Sequence, residues 1–317
     1  MLNRILITPR SLTKDGHPSL RRLQDAGYDL VFATPGVQPD EPEMLRLLPG
    51  CVGMLAGVEP ITARVLEAAT ALRAISRNGV GVSNIDLDAA RRLGIQVLVA
   101  PGANARGVAE LTIGLILALA RSIPFGDASL KSRRWSRRKG FELPGKTLGL
   151  IGCGQIGQCV ARLALAFEMH VVAFDPCPDE RFRPGERFAY AGFDEVIGTA
   201  DIISLHCPPN VDQSPLIAAS AIARMKHGVY LVNTARPELL DEDAVLQSLD
   251  SGAIAGLAVD VFASEPPTDW RLAADPHVVA TAHIGGYTAE SVDRAVAAAV
   301  DNLLAALDDG KECEAAP

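Results

Sequence analysis

The chain has 317 residues, a formal net charge of −8 and a sequence pI near 5.3. This length exceeds the usual size of a single hydrophobic core, so we expect two domains. The acidic balance disfavours a nucleic-acid partner, because phosphate binding requires a basic face. The cysteines show no CxxC pair and no regular spacing, which argues against a disulfide framework and a zinc site. We therefore expect reduced thiols and no bound metal at Cys51, Cys153, Cys159, Cys177, Cys207 and Cys313.

No targeting or membrane-spanning segment is predicted. The N-terminus runs directly into a strand-like segment, without the basic region and apolar stretch of a secretory signal, so we expect a cytoplasmic protein. The apolar run at residues 111–120 is too short to cross a membrane and is typical of a buried helix.

In chain order, five short apolar runs separated by helical patterns precede residue 101, which is typical of parallel βαβ units. They are residues 5–8, 29–33, 52–57, 72–77 and 95–100. Pro101, Gly102 and Gly107 then interrupt the chain before an apolar helix predicted over residues 108–121. We predict a domain boundary at this break.

A second series of six strands follows the break, at residues 146–152, 170–175, 201–207, 229–235, 255–262 and 277–284. It forms a complete doubly wound parallel set. No strand remains for the helix predicted from Thr288 to Leu307, so we expect that helix to return to the first domain. The predicted domains are therefore 1–100 with 288–317, and an inserted domain 101–287.

The motif GCGQIG places Gly152, Gly154 and Gly157 directly after an apolar strand and at the start of a helix. A tight turn, close approach of a pyrophosphate and close helix packing each require a missing Cβ, which indicates a dinucleotide site. Asp175 ends the next strand, 18 residues after Gly157, where a carboxylate binds ribose hydroxyls and repels a 2′-phosphate. NAD is therefore favoured over NADP, and a methyltransferase site for S-adenosylmethionine is the local alternative.

Three polar residues stand at the ends of late strands, where such sheets bind ligands: Arg236, Glu265 and His283. Each alone is more typical of a loop ion pair or a structural histidine. Together they match hydride transfer at a 2-hydroxy or 2-oxo acid, with a histidine held by a carboxylate and an arginine that binds the substrate carboxylate.

From about Leu55 to Leu307 the chain resembles the D-isomer-specific 2-hydroxyacid dehydrogenases, and most closely their phosphoglycerate dehydrogenase branch in a short form without a regulatory domain. The resemblance implies an NAD-binding Rossmann domain inserted into a flavodoxin-like substrate domain, and a homodimer in which the helix at 108–121 crosses the two-fold axis. The motifs that carry it are NGVGVSNIDLDAA, NARGVAELTIGLILALAR, GKTLGLIGCGQIG, VNTARPELLDEDAV, GLAVDVFASEPP and AHIGG.

The resemblance also implies roles for individual residues. Arg236 binds the substrate carboxylate and carbonyl, His283 is the acid and base, and Glu265 pairs with His283 and favours its protonated form. The pyrophosphate contacts are Gln155 and Ile156, and Cys207 lies on the adenosine side. The substrate carboxylate is received by the backbone of Asn78, Gly79, Val80 and Gly81, of which Val80 also contacts the cofactor. The nicotinamide end is lined by Thr234, Ala235, Asp260 and Gly286.

Departures from the family pattern concern the substrate. Pro237 and Glu238 follow the catalytic arginine, Ser83 replaces a usual aspartate, and Glu59 stands where a basic residue would be expected. The candidate phosphate ligands are Arg77 and the basic segment from Lys131 to Lys139. This segment would reach the active site of the partner subunit through Arg134, Arg137, Arg138 or Lys139. The alternative is that the segment is a solvated basic loop.

The leading substrate expectation is 3-phosphoglycerate and its 2-oxo acid. A hydroxypyruvate or glyoxylate reductase is the alternative within the same chemistry. A regulatory protein that senses NAD without catalysis is the alternative from another class, and it would not require the three residues Arg236, Glu265 and His283.

Overall fold

The computed structural model describes residues 3–312, which belong to two compact units. Unit 1 consists of Met1–Asn104 with Ala289–Pro317, and unit 2 is the intervening segment Ala105–Thr288. Residues 1, 2 and 313–317, which include Cys313, lie outside the described residues. The other five cysteines are free thiols.

Unit 1 contains one parallel sheet of five strands in the order β2-β1-β3-β4-β5, the order of flavodoxin-like folds. Ile5, Leu6 and Ile7 of the first strand are fully buried, as expected of a parallel sheet covered on both faces. The strands are β1 (Arg4–Ile7), β2 (Asp29–Phe32), β3 (Cys51–Ala56), β4 (Ala74–Arg77) and β5 (Gln96–Leu98).

Short helices connect these strands. The side chains of Asp40, Thr62 and Asp86 each accept a hydrogen bond from the amide three residues later, and this satisfies a donor that the first helical turn leaves unpaired. Three helices therefore begin where the sequence supplies a capping side chain. The helices are α1 (Arg10–Asp15), α2 (Arg21–Asp25), α3 (Glu41–Leu47), α4 (Ala63–Ala68) and α5 (Leu87–Arg92).

Unit 2 contains a parallel sheet of seven strands in the order β12-β11-β10-β9-β6-β7-β8. The strands are β6 (Thr147–Ile151), β7 (His170–Phe174), β8 (Phe188–Tyr190), β9 (Ile202–Leu205), β10 (Val229–Asn233), β11 (Ile254–Val259) and β12 (Val278–Ala280). The expectation of six strands was wrong, because β8 is an edge strand of three residues that follows a polar segment. The prediction of two parallel α/β domains is confirmed.

Seven helices accompany this sheet. The longest is α6, which begins three residues before the predicted Val108, and its side chains Leu115 and Ile116 are buried beside the central strands. Within the described residues no single helix is long and apolar enough to span a membrane; only α6 and α7 together are, as a pair bent by 65°. The helices are α6 (Ala105–Arg121), α7 (Ile123–Lys131), α8 (Gln155–Ala166), α9 (Phe193–Thr199), α10 (Ala219–Ile222), α11 (Glu242–Ser251) and α12 (Arg271–Ala274).

The last helix, α13 (Ala289–Glu312), belongs to unit 1. Its side chains Val296, Val300 and Leu303 are fully buried in the same hydrophobic cluster as Ile5 of β1. A Cβ on Gly53 of β3 would lie 3.1 Å from the Leu307 side chain, so the helix packs closely over this strand position and a larger residue would require that side chain to shift. The helix therefore supplies part of the core of unit 1.

The unit boundaries differ slightly from the predicted domains 1–100 with 288–317 and 101–287. Residues 101–104 belong to unit 1, because Ala103 packs against Ala295 and its carbonyl accepts a hydrogen bond from Arg294 Nε at 2.8 Å. Thr288 belongs to unit 2, since α13 begins one residue later.

Candidate active site

A glycine-rich turn joins β6 to α8 beside the position where the strand order reverses. Gly152 has a φ of 94°, and a Cβ there would lie 2.5 Å from the carbonyl oxygen of His206. A Cβ on Gly157 would lie 2.3 Å from the carbonyl oxygen of Gly152, so neither position accepts a side chain. A Cβ on Gly154 would meet no heavy atom of the described residues within 4 Å. The turn is thus closed on its inner side and open toward a ligand.

The helix that follows the turn offers a site for an anion. α8 is 12 residues long, and among the described residues no side chain caps its N-terminus. The amides of its first residues, Gln155 and Ile156, have no partner within the helix and carry the positive end of its dipole. The open position at Gly154 and these amides together fit the pyrophosphate of a dinucleotide.

Asp175 directly follows β7 and holds the glycine-rich turn. Its Oδ2 accepts a hydrogen bond from the amide of Cys153 at 2.8 Å, and its Oδ1 accepts one from the amide of Cys177 at 2.9 Å. Each carboxylate oxygen can accept a further bond, so contact with ribose hydroxyls is compatible with this geometry. The carboxylate therefore has a role in shaping the turn as well as the predicted role in NAD selection.

The loop after β9 carries His206 and Cys207, and both side chains are uncharged at neutral pH. Burial lowers the pKa of His206 to about 3. Burial also raises the pKa of the Cys207 thiol to about 11. Since the backbone of His206 abuts Gly152, a neutral surface adjoins the turn on the side predicted for adenosine.

The turn after β10 presents Thr234, Ala235 and Arg236, and the buried Asn233 holds it. The Asn233 side chain accepts from the amide of Ala235 at 3.0 Å and donates to the carbonyl of Arg236 at 2.8 Å. Thr234 Oγ1 lies 3.1 Å from the hydroxyl of Thr112 on α6. Arg236 is extended, with φ −144° and ψ 141°, as a residue before proline prefers. Asn233 was not singled out in the sequence, although an asparagine side chain commonly closes such a turn.

Asp260 follows β11 and is buried, with an exposed fraction of 1%. Its Oδ1 accepts from Thr281 Oγ1 at 2.6 Å and from the amide of Ile284 at 2.8 Å, and its Oδ2 accepts from the amide of Gly285 at 2.8 Å. These three bonds fix the loop that carries His283. The predicted contact of Asp260 with the nicotinamide carboxamide stays a prediction, and bracing of the loop is a role that the sequence did not indicate.

Glu265 and His283 are in direct contact. His283 Nδ1 lies 2.7 Å from Glu265 Oε2 and 2.8 Å from Oε1, and both side chains are about half exposed. His283 has a φ of 51°, a left-handed conformation that is uncommon for histidine and is held here by the braced loop. Because the carboxylate accepts the Nδ1 proton, Nε2 is the ring nitrogen free to exchange a proton with a ligand.

The C-terminal ends of the parallel strands place the remaining predicted residues of unit 2 at one edge of the sheet. Gly286 lies in the turn closed by a bond from the amide of Tyr287 to the carbonyl of Ile284, 2.9 Å long. Among the described residues no hydrogen bond joins Arg236 to Glu265 or His283. Arg236 is positioned by its own turn, and the acid and base pair by the loops after β11 and β12.

The predicted substrate loop of unit 1, residues 78–81, follows β4. In the part of the chain that the structure describes, the amides of Val80 and Gly81 donate no hydrogen bond. Gly79 has a φ of 149°, and its carbonyl accepts from the amide of Ala100 at 2.9 Å. Arg77, predicted to contact a substrate phosphate, is only 8% exposed, and its Nη1 donates to the carbonyl of Asn78 at 3.3 Å. Arg77 thus lies beneath the loop.

The basic segment at residues 131–139 is exposed throughout. Lys131 pairs with Asp127 at 2.7 Å, and the Arg138 guanidinium lies 3.8 Å above the ring of Phe125. Its predicted reach into a partner subunit, through Arg134, Arg137, Arg138 or Lys139, stays a prediction. Among the described residues no group of three or more His, Cys, Asp or Glu side chains could hold a metal ion.

Comparison with known proteins agrees with this geometry. Residues 113–285 match the model of the D-isomer specific 2-hydroxyacid dehydrogenase NAD binding domain. The hydroxypyruvate reductase of Thermotoga maritima is 43% identical over 261 residues, 80% of this chain and 84% of that protein. The D-3-phosphoglycerate dehydrogenase of Mycobacterium tuberculosis is 39% identical over 260 residues, 81% of this chain but 49% of that protein. The chain thus spans about half the length of that dehydrogenase.

The fold is also that of a solved structure with its ligands. The D-lactate dehydrogenase of Aquifex aeolicus, complexed with NAD and lactic acid, superposes with a TM-score of 0.82 at 30% identity, and the match covers 98% of this chain and 97% of that one. The family model covers more than half of the chain, and it includes the glycine-rich turn, Asp175 and the Glu265–His283 pair. The chain therefore belongs to the D-isomer specific 2-hydroxyacid dehydrogenase family and is an NAD-dependent oxidoreductase.

Proposed function

We propose that this enzyme interconverts a small, unphosphorylated D-2-hydroxy acid and its 2-oxo acid, with hydroxypyruvate or glyoxylate as the 2-oxo acid. The observation that supports the chemistry is the contact of 2.7 Å between His283 Nδ1 and Glu265. Bound NADH supplies the hydride for C2 of the 2-oxo acid. The side chains of this protein supply the proton and the positive charge that stabilises the carboxylate and the developing oxyanion of the substrate.

His283 gives a proton from Nε2 to the substrate oxygen during reduction and removes it during oxidation. Glu265 keeps the ring oriented through Nδ1 and stabilises the imidazolium, because a carboxylate favours a neighbouring positive charge. Arg236 binds the substrate carboxylate and offsets the charge that develops on the carbonyl oxygen. The braces from Asn233 and Asp260 hold these side chains in place before the substrate arrives.

The position of Arg77 bears on the class of substrate. A residue that selects a phosphate must present its guanidinium to the ligand, whereas Arg77 is buried and bonded to its own loop. The neighbouring Glu59 is also buried; burial raises the pKa of its carboxyl, and the positive charge of Arg77 is among the causes that oppose this rise. The geometry therefore favours hydroxypyruvate or glyoxylate as the substrate over the phosphorylated acid that was predicted from the sequence. The 43% identity to a hydroxypyruvate reductase supports the same choice.

The test is a steady-state assay with NADH and three substrates: hydroxypyruvate, glyoxylate and 3-phosphohydroxypyruvate. We expect kcat/KM for the phosphorylated acid to be no greater than for hydroxypyruvate. An advantage of tenfold or more for the phosphorylated acid, roughly 1.4 kcal/mol, would restore phosphoglycerate as the substrate. Tight NADH binding without turnover of any acid would instead favour the NAD-sensing regulator.

The proposal includes a homodimer. The apolar side chains of α6 are largely covered within unit 2, but Ile123 of α7 is 55% exposed, and Leu130 and Trp135 beyond it are 59% and 83% exposed. Several large exposed apolar side chains in one short segment are typical of an interface. Light scattering should give a mass twice that of the 33.5 kDa chain, and the mass of one chain at micromolar concentration would contradict a dimer.

A further inference from the structure

Unit 1 holds a buried carboxylate that the proposed mechanism does not use. Glu59 follows β3 and is 1% exposed, which is rare for glutamate unless it is paired. A buried charge requires partners that offset its loss of hydration, so the contacts of Glu59 indicate what the charge is for.

Glu59 joins the ends of β1 and β3. Its Oε1 accepts a short hydrogen bond from the hydroxyl of Thr8 and another from the amide of Gly57 at 2.9 Å. A Cβ on Gly57 would lie 2.6 Å from Glu59 Oε2, so the carboxylate folds back over this position and would have to move if a side chain were added there. The side chain is therefore fixed on two sides.

The same cluster continues to the 78–81 loop through Asn84. Asn84 Nδ2 donates to the carbonyl of Glu59 at 2.7 Å, and its Oδ1 accepts from Arg77 Nε at 3.4 Å. Arg77 Nη1 in turn donates to the carbonyl of Asn78, and a Cβ on Gly79 would lie 3.6 Å from that nitrogen. Contacts thus run from the backbone carbonyl of Glu59, through the side chains of Asn84 and Arg77, to the carbonyl of Asn78 in the loop.

The charges of Glu59 and Arg77 also act on each other. Burial raises the pKa of the Glu59 carboxyl above its ordinary value, and the Thr8 hydrogen bond and the positive charge of Arg77 oppose that rise. Removal of one charge from such a buried pair leaves the other charge uncompensated, so a change at Glu59 should be felt at Arg77.

We propose that Glu59 is a positioning residue and a specificity residue for the substrate. Its carboxylate fixes residues 57–59, whose carbonyl oxygens hold Asn84, and Asn84 and Arg77 keep the 78–81 loop in the conformation that receives the substrate carboxylate. Its negative charge offsets that of Arg77, so that the enzyme does not favour a phosphorylated substrate. The substrate part rests on the proposed function, whereas the effect on the loop does not.

The test compares Glu59→Gln with Glu43→Gln. Glu43 is a matched control, since it is a carboxylate of the same unit that accepts from the hydroxyl and the amide of Thr34. We expect Glu59→Gln to speed hydrogen exchange of the 78–81 amides at least fivefold. KM for hydroxypyruvate should rise about tenfold, the effect of losing about 1.4 kcal/mol, with kcat and the KM for NADH within twofold. The kcat/KM ratio of 3-phosphohydroxypyruvate to hydroxypyruvate should rise by a similar factor.

A second variant, Thr8→Val, removes one hydroxyl with little change of shape, and we expect about a threefold rise in KM for hydroxypyruvate with an unchanged melting temperature. Equal exchange and equal KM in Glu59→Gln and Glu43→Gln would overturn the proposal. So would a joint rise of both KM values with a lower melting temperature, which marks a structural role alone. If the unaltered enzyme reduces no 2-oxo acid, the proposed function fails, and amide exchange still decides whether Glu59 positions the loop.

Discussion

Replacement of His206 by glutamine should reduce the loss of stability that the protein suffers in mild acid. The imidazole Nε2 lies 2.9 Å from the hydroxyl of Ser204, and Nδ1 is buried with no partner among the described residues. Protonation would place a positive charge on this ring, and no carboxylate of the described part of the chain contacts it. Glutamine can keep the contact with Ser204 but cannot titrate.

The size of the effect follows from the pKa of His206, which burial lowers from 6.5 to about 3. When the pKa of a histidine is lower in the folded than in the unfolded protein, the free energy of unfolding is unaffected above pH 6.5 and decreases as the pH falls below it. The reason is that the unfolded chain then binds the proton and the folded chain does not. At pH 5 the loss is about 2 kcal/mol relative to pH 8, and any folded pKa below about 4 gives nearly the same figure.

The assay is urea unfolding at pH 8 and pH 5, followed by circular dichroism and by the fluorescence of Trp135 and Trp270, the two tryptophans of the chain, both in unit 2. The difference between the two pH values should be about 2 kcal/mol smaller in His206→Gln than in the unaltered protein. His170→Gln, which replaces an exposed histidine of the same unit, is the control and should leave the difference unchanged. An identical difference in His206→Gln and the unaltered protein would refute the reasoning.

Further predictions concern the reaction. His283→Asn should lower kcat about a hundredfold while NADH binding, measured by fluorescence titration, stays within twofold; undiminished turnover would exclude His283 as the acid and base. Glu265→Gln should lower kcat of reduction about tenfold, because an amide holds the Nδ1 proton of His283 less strongly than a carboxylate does; an unchanged kcat would show that the pair has no such role. Asp175→Ala should weaken NADH binding about tenfold and narrow the preference for NAD over NADP, as compared through both values of kcat/KM, since it removes the brace on Cys153 along with the repulsive carboxylate. An unchanged ratio would place the selection elsewhere.

The sequence predicted the fold well wherever an apolar run was long enough to mark a buried strand. Both sheets are parallel, and the glycine-rich turn lies between β6 and α8 as expected. The pattern failed at β8, whose three residues lie at an edge of the sheet and need no continuous apolar run. The sequence pattern also placed the first domain boundary at residue 100, four residues before the end of that part of unit 1. The packing of Ala103 against Ala295, which joins residues distant in sequence, extends the unit to Asn104.

The sequence predicted which residues form the site, but it did not predict the hydrogen bonds that hold them in place. Glu265 and His283 could be proposed as a pair because the ends of parallel strands lie at one edge. The hydrogen bonds that Asp260 accepts from Ile284 and Gly285, and the one that Glu59 accepts from Thr8, depend on side-chain directions that the sequence pattern does not specify. Arg77 shows the same limit, since its position suggested a ligand contact and its burial indicates a support.

The placement of α13 has a consequence for how the protein is made. A ribosome synthesises every residue of unit 2 before it synthesises the helix that supplies Val296, Val300 and Leu303 to the core of unit 1. The N-terminal unit is therefore synthesised first but completes its core last, because β1 packs against residues almost 300 positions later in the chain. A released chain that ended at Thr288 would contain every residue of unit 2 but would lack α13, and the apolar sheet residues of unit 1 that α13 covers would be the kind of surface that chaperones bind.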